Sequence, residues 1–378
     1  MSHSRKLLII TTGGTIAGKV EPTASQAHEV KNRPSLRESL APTILDISKN
    51  SEQFNDIQVD TDNVANLDSS DVTPSNWISI INSVARRYCE YDGFIVTHGT
   101  NTMGYTSAAL SFALENLGKP VVVTGSQVPF GWPGSDALMN LENAMRVVTW
   151  DNTPGPVRGV MCVFGSHIIT GTRAKKSTEF DYDAFQSFTT ASLGRIGRVI
   201  RWNALNLDRH HEYLSKSAPE ARPVHPLRRP VPSLRVTSTF DPRVLSFTEF
   251  PGMDPESLKR LSADLIDQDR LRGIVFRAFG AGDVSTYLHP AFQYLKDRKI
   301  PIVVTTQAPN GNSNFAVNKP GMLLRDRKLA IPAFDMSIES MTTKLMWLLG
   351  QGLKYEEITE RMLNDLHGEV SPEEDRRG

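Results

Sequence analysis

The stretch Leu7-Leu8-Ile9-Ile10-Thr11-Thr12-Gly13-Gly14-Thr15-Ile16-Ala17-Gly18 decides the architecture. Consecutive large aliphatic residues bounded by paired glycines predict a buried strand that ends in a sharp turn. Without a Cβ, glycine lets the backbone bend and approach a ligand closely. Thr15 then stands on an exposed turn at the carboxyl end of the strand, the edge of an open α/β sheet where ligands bind. Phe94-Ile95-Val96-Thr97-His98-Gly99-Thr100-Asn101-Thr102-Met103 repeats the pattern of strand, glycine and threonine, with a helix-like stretch at 105–117. Taken singly, each turn reads as a tight loop with a helix N-cap. Two such turns, each after a buried strand, put two threonines where they can face one substrate from opposite sides.

Outward from these turns, strand-like runs at 6–12, 93–97, 120–124 and 159–164 alternate with helical runs near 75–88, 106–116 and 138–148. Such alternation predicts a mostly parallel sheet with helices on both faces. From about Arg201 to Pro232 the text turns polar and irregular, and the prolines at 219–232 block helix and central strand alike. The reading is an N-terminal α/β catalytic domain at 1–205, a Pro-rich linker at 206–232 and a smaller C-terminal α/β domain at 233–378. The second domain repeats the pattern with strands at 273–276 and 300–305 and helices at 290–297 and 337–350. Met336, Met341 and Met346 follow helical spacing with Leu345, Leu348 and Leu349, which suits core packing or a subunit contact.

A chain of 378 residues fits two domains. Its 42 basic and 42 acidic side chains leave no net charge, so no electrostatic case arises for a nucleic-acid or membrane-surface partner. The apolar run after the polar start is too short for a signal peptide or a membrane span. Cys89 and Cys162 are read as buried free thiols rather than a disulfide framework. These features point to a soluble cytoplasmic protein. His210-His211 has no third partner at metal spacing, and Gly280-x-Gly282 lacks the rest of a dinucleotide fingerprint, so neither a metal nor an organic cofactor is implied.

Thr12-Gly13-Gly14-Thr15-Ile16-Ala17-Gly18 and His98-Gly99-Thr100-x-Thr102-Met103 resemble the two signature motifs of the bacterial-type asparaginase/glutaminase family. The resemblance continues at 121–127, 135–141, 171–177, 273–275 and 303–307, most of the chain in order, and is nearest the cytoplasmic type I branch. It implies that Thr15 attacks a carboxamide carbon and that Thr100 and Lys176 form a second, activating set. A threonine hydroxyl is a weak nucleophile until a base stands near, and a lysine serves once burial and neighbours depress its pKa. Lys176 rather than Lys175 falls where Gly-x-Arg-x-x-Lys places the lysine. Ser69 matches a serine that binds the substrate's α-carboxylate; Ser70 competes with it, and both could instead cap a helix starting near Thr73. Gly99, Asn101 and Asp283 complete the expected substrate-binding set. The resemblance also implies a homodimer or homotetramer in which a neighbour completes each site, and a small-molecule amide as substrate.

Three departures loosen the substrate. Asn101 replaces the family's aspartate that faces the substrate's α-ammonium. Charge-assisted hydrogen bonds are roughly twice as strong as neutral ones, so the change costs about 1–2 kcal/mol, about tenfold in affinity. Asp283 stands where a glycine turn usually carries asparagine; either the carboxylate has moved between loops or Asp283 caps its own turn. The family's lid tyrosine is missing, and the lid-like stretch at 19–34 holds Ser25, His28 and Glu29 instead, with His28 one candidate for handling protons. Free L-asparagine leads the substrates; glutamine, an N-substituted asparagine or an amide without an α-amine remain open. A binding relative without turnover is the alternative from another class. The amidase subunit of a tRNA-dependent amidotransferase ranks lower, because its added N-terminal domain has no room ahead of Lys6.

Overall fold

The computed structural model describes residues 5–13, 54, 56–152, 157–216 and 234–371. Thr15, Gly14 and the whole 19–34 stretch with His28 lie outside the described residues. The chain divides into two compact units, Met1–Ser238 and Thr239–Gly378.

In the first unit the strands are β1 (Arg5–Gly13), β2 (Ile57–Leu67), β3 (Gly93–Thr97), the short β4 (Leu114–Glu115), β5 (Pro120–Thr124), β6 (Gly159–Phe164), β7 (His167–Thr170), β8 (Ala174–Lys176), β9 (Phe185–Ser187), β10 (Gly194–Ile196), β11 (Ile200–Trp202) and β12 (Arg235–Val236). The helices are α1 (Pro74–Arg87), α2 (Met103–Ala113), α3 (Ala137–Val148) and α4 (Ala204–Lys216). Eight strands form one sheet in the order β11-β10-β7-β6-β5-β3-β1-β2. It is parallel from β6 to β2, and β7, β10 and β11 add an antiparallel flank. Leu7–Ile10, Gly93–Thr97 and Pro120–Thr124 are buried throughout, as continuous apolar runs demand of strands covered on both faces.

The chain steps from β1 to β2 on one side, then returns to β3 on the other. In open α/β sheets such a reversal is where ligands bind, here at the carboxyl ends of β1 and β3. Thr11 lies level with Thr97, and Thr97 with Thr124. Gly13 ends β1 at φ +96°, where an added Cβ would stand 2.6 Å from the Leu67 backbone nitrogen. Gly13→Ala is therefore expected to destabilise the protein by about 1–3 kcal/mol, a strained backbone alone accounting for that range. A lowered thermal midpoint checks it; an unchanged one shows that the turn relaxes without loss.

Helix α4 is a finding the sequence reading did not contain: it crosses 204–216, where the polar text suggested the opening of a linker. Leu207 and His210 bury one face of it, and His210 Nε2 lies 3.0 Å from the Arg158 carbonyl. Cys162 is buried on β6, but Cys89 is exposed, which corrects the expectation of two buried thiols. Tyr88 ends the inward face of α1, and Cys89 follows it on the turn. Among the described residues, no helix is long and apolar enough to cross a membrane.

The second unit holds β13 (Val244–Thr248), α5 (Pro255–Asp267), β14 (Gly273–Ala278), α6 (His289–Asp297), β15 (Ile302–Thr306), α7 (Lys319–Asp326), β16 (Ile331–Pro332), α8 (Ile338–Gly350) and α9 (Tyr355–Leu363). Its four strands are parallel and run in sequence order. Phe276 and Phe292 meet edge to face at 5.0 Å within its core. Met336 and Met341 are fully buried there. The two-domain α/β class expected from the alternation is the class observed.

Candidate active site

The first unit gathers five of the residues singled out in the sequence. Thr100 follows β3 in the turn before α2 and is buried. Lys176 ends β8, which pairs antiparallel with β9 so that Lys176 stands opposite Phe185. Across 76 positions of sequence, Lys176 Nζ lies 2.8 Å from Thr100 Oγ1. It also lies 3.3 Å from Asn101 Oδ1. The Asn101 N–H donates to Ser69 Oγ at 3.2 Å, and Asn101 Nδ2 donates to Ser70 Oγ at 3.0 Å. Thr102 Oγ1 donates to the Ser69 carbonyl at 2.6 Å. Burial holds the Lys176 ammonium below its ordinary value, with the Glu179 carboxylate acting against that shift. Lys175, the neighbouring lysine, instead carries its Nζ 4.4 Å over the Phe188 ring.

Ser69 and Ser70 do not cap α1. That helix starts after Thr73, whose N–H donates to Asn76 Oδ1, with Pro74 in its first turn. Ser69 and Ser70 belong to a 3-10 turn, Ser69–Asp71, capped by Asp68. With both hydroxyls accepting from Asn101, each retains an O–H able to donate elsewhere.

His98 is a core histidine. Its Nδ1 lies 2.7 Å from the Gly99 carbonyl and its Nε2 2.9 Å from Thr106 Oγ1, which in turn accepts from Trp77 Nε1 at 3.1 Å. Nδ1–H therefore donates to Gly99, and Nε2 accepts from Thr106. Full burial pushes its pKa down to about 4, against a smaller opposing effect of the Gly99 hydrogen bond. A neutral ring bonded in this way fixes the Gly99 turn that carries Thr100.

Two further residues shape the site without having been chosen from sequence. The Asp136 carboxylate, at the start of α3, accepts the N–H groups of Gln127 and Val128 at 2.9–3.1 Å. Asn140 ties that carboxylate to the Gly125 carbonyl, both at 2.9 Å. The loop after β5 is thereby held rigid, and Gln127 Nε2 donates from it to the Glu179 carbonyl at 2.7 Å, three residues beyond Lys176. Ser-Asp before an apolar run reads as a simple helix cap in sequence; that the carboxylate reaches back eight or nine residues is visible only in space. Asp283 lies in the second unit, on the turn Phe279–Asp283, and its carboxylate accepts from Asn318 Nδ2 at 2.6 Å.

A polarisable hydroxyl 2.8 Å from a lysine whose charged form is disfavoured can pass a proton. The Ser69 and Ser70 hydroxyls, which accept from Asn101, still have O–H groups that can donate to an anionic group. Comparison with known proteins agrees with that chemistry. A family model described as asparaginase, N-terminal, matches residues 6–207, and one described as glutaminase/asparaginase C-terminal domain matches residues 243–362. The chain is 32% identical over 368 residues to an L-asparaginase of Thermococcus kodakarensis, covering 97% of this chain and 99% of the relative. It is 29% identical over 374 residues to a glutamyl-tRNA(Gln) amidotransferase subunit of Pyrococcus abyssi, covering 97% of this chain and 77% of the relative. The crystal structure of L-asparaginase I from Vibrio cholerae superposes with a TM-score of 0.78 at 28% identity, covering 97% of this chain and 99% of that one.

Proposed function

The chain belongs to the asparaginase family and is an asparaginase-like amidohydrolase; we propose that it hydrolyses the side-chain carboxamide of L-asparagine through an ester on Thr15. The observation that carries this reading is the 2.8 Å contact between Lys176 Nζ and Thr100 Oγ1, made by an amine whose charged form burial disfavours. A chain that only bound amino acids would have no use for that pair.

In this mechanism the Thr15 hydroxyl adds to the amide carbon, and its proton passes to the nitrogen, which leaves as ammonia. Water then adds to the resulting ester. The Thr100–Lys176 pair takes the water proton and returns it to the Thr15 oxygen as the acid departs. One amide and one water thus give one acid and one ammonia. Ser69 and Ser70 offer hydroxyl donors to the substrate carboxylate, beside the Gly99–Asn101 turn. Asp283 acts on the substrate's α-ammonium from a neighbouring copy in a cytoplasmic homodimer or homotetramer.

The test is ammonia release from L-asparagine by the purified protein, with Thr15→Ala as control. Acid quenching in mid-turnover followed by peptide mass analysis looks for the ester on the Thr15 peptide. Release together with that ester is the expected result. A folded protein that releases no ammonia from L-asparagine overturns the substrate assignment. Release with no dependence on Thr15 overturns the nucleophile. L-glutamine and N-substituted asparagine assayed in parallel identify a related amide, and glutamine hydrolysed only with a charged tRNA present would align the chain with the amidotransferase relative instead.

A further inference from the structure

Asn101 does something to Lys176 that a residue reserved for substrate would not. Its side-chain amide is engaged at both ends within the protein: Oδ1 faces Lys176 Nζ at 3.3 Å, and Nδ2 donates to Ser70 Oγ at 3.0 Å. Against a Lys176 ammonium the opposite amide orientation would set Nδ2 on N–H groups, so the charged form of the lysine admits only this one. Its backbone N–H is engaged too, on Ser69 Oγ. The carboxamide is thus fixed on Lys176 from a turn anchored at both serines.

A neutral lysine amine carries two N–H groups and one lone pair. An uncharged carbonyl can take one N–H in either protonation state; the Nζ that donates to Thr100 Oγ1 at 2.8 Å when charged then has, when neutral, a lone pair for the proton of that hydroxyl. A carboxylate in the same place would favour the ammonium and fill that lone pair with a proton. We propose that Asn101 is a positioning residue that keeps Lys176 available as a neutral amine aimed at Thr100. This rests on the reading of Lys176 as proton acceptor and adds a residue that leaves burial, not a facing carboxylate, to set its working range. Among the described residues, the other charged groups on the elements that meet Lys176 are Lys175 beside it, Glu179 three residues on, and Asp68 and Asp71 around the Ser69–Asp71 turn. Asp68 is turned to the Ser70 N–H. Glu179 is the carboxylate that draws Lys176 upward, and burial outweighs it.

The test reads Lys176 itself rather than turnover. Acetic anhydride labelling across a pH series, followed by mass analysis of the Lys176 peptide, gives the pH at which this amine becomes reactive. In the native protein that midpoint is expected below the ordinary lysine value. In Asn101→Asp it is expected to rise by about one unit or more, which leaves about tenfold less neutral amine at a given pH. In Asn101→Ser, which removes the carbonyl without adding charge, it is expected not to rise. The acid limb of the kcat/KM profile for amide hydrolysis should shift with Asn101→Asp by the same amount. Equal labelling midpoints in the native protein and Asn101→Asp overturn the proposal, as does an equal rise in both variants. A shifted midpoint in a protein that hydrolyses no amide would sink the proposed function and leave this inference standing; hydrolysis without a shift would do the reverse.

Discussion

Replacing Lys176 by methionine is expected to lower kcat for amide hydrolysis by about 10²–10⁴-fold, the range lost with a positioned proton acceptor. KM should change far less, since the amine faces the Thr100 hydroxyl and not the serines whose O–H groups can donate to an anion. Stability should hold. Lys176 is only partly buried, and methionine keeps the apolar length of the side chain. The native rate should rise with pH through a midpoint below the ordinary lysine value of 10.5, because burial depresses Lys176 and the neutral amine is the active form. Steady-state kinetics with a thermal melt on the same sample check all of this. A variant that turns over at the native rate would remove Lys176 from the mechanism.

The largest expected effect on stability lies elsewhere, at Lys344. This lysine of α8 is fully buried and pairs with Glu369 at 2.6 Å, also fully buried. Its remaining donors go to the carbonyls of Met362 and Asn364 at 3.2 and 2.5 Å. Glu369 in turn accepts the N–H groups of Leu366 and His367 at 3.0 and 2.7 Å. One ion pair thus pins the segment after α9 onto α8. Lys344→Met strands a carboxylate in the core, and a loss of about 3–5 kcal/mol is expected, as for other broken buried pairs. In a unit of this size that lowers the melting point by about 10 °C or more. Adding Glu369→Leu should recover the loss only in part, because four backbone groups still lack their partners.

The pair also has a signed pH dependence. Desolvation pushes the Glu369 carboxyl up, but the Lys344 and His367 charges and hydrogen bonds outweigh it, and the folded-state pKa is lowered. A group depressed in the folded state contributes stability above its unfolded pKa and loses it as the pH falls through the folded one. The native protein should therefore lose stability on acidification below the ordinary glutamate value of 4.5, and the doubly substituted protein should lose less. Denaturant titrations at several acid pH values decide this. Parallel losses in both proteins would mean that the pair titrates like an ordinary surface glutamate.

Which parts of the fold could be read in advance follows from how each buries its surface. Strands 93–97, 120–124 and 159–164 were legible because they are covered on both faces and consist almost wholly of apolar residues. Strand β2 was not. Ile57–Leu67 lies at the sheet edge, breaks its alternation with the polar run Asp60-Thr61-Asp62-Asn63, and fixes Asp60 and Asp62 on Tyr91 and Ser83 rather than in a core. The strands β7 to β11 are three or four residues long, and no local pattern distinguishes such short pieces from turns. Helix α4 hid in polar text because, among the side chains described on it, only Leu207 and His210 are buried.

What the sequence by itself determined is the local grammar: apolar runs that must be strands, glycines that must turn after β1 and β3, and a motif set that selects Thr100 and Lys176 over equally polar neighbours. Those are properties of short windows, where burial and backbone freedom act on adjacent residues. Only the tertiary structure decided that Lys176 Nζ stands on Thr100 Oγ1 from 76 residues away. It alone showed that Asn101 turns its carbonyl to that amine, that Asp136 holds the β5 loop and that Lys344 finds Glu369. Each of these is a hydrogen bond or ion pair between distant segments. Its free energy depends on a few tenths of an ångström and on the exclusion of water, and neither is written in composition or spacing.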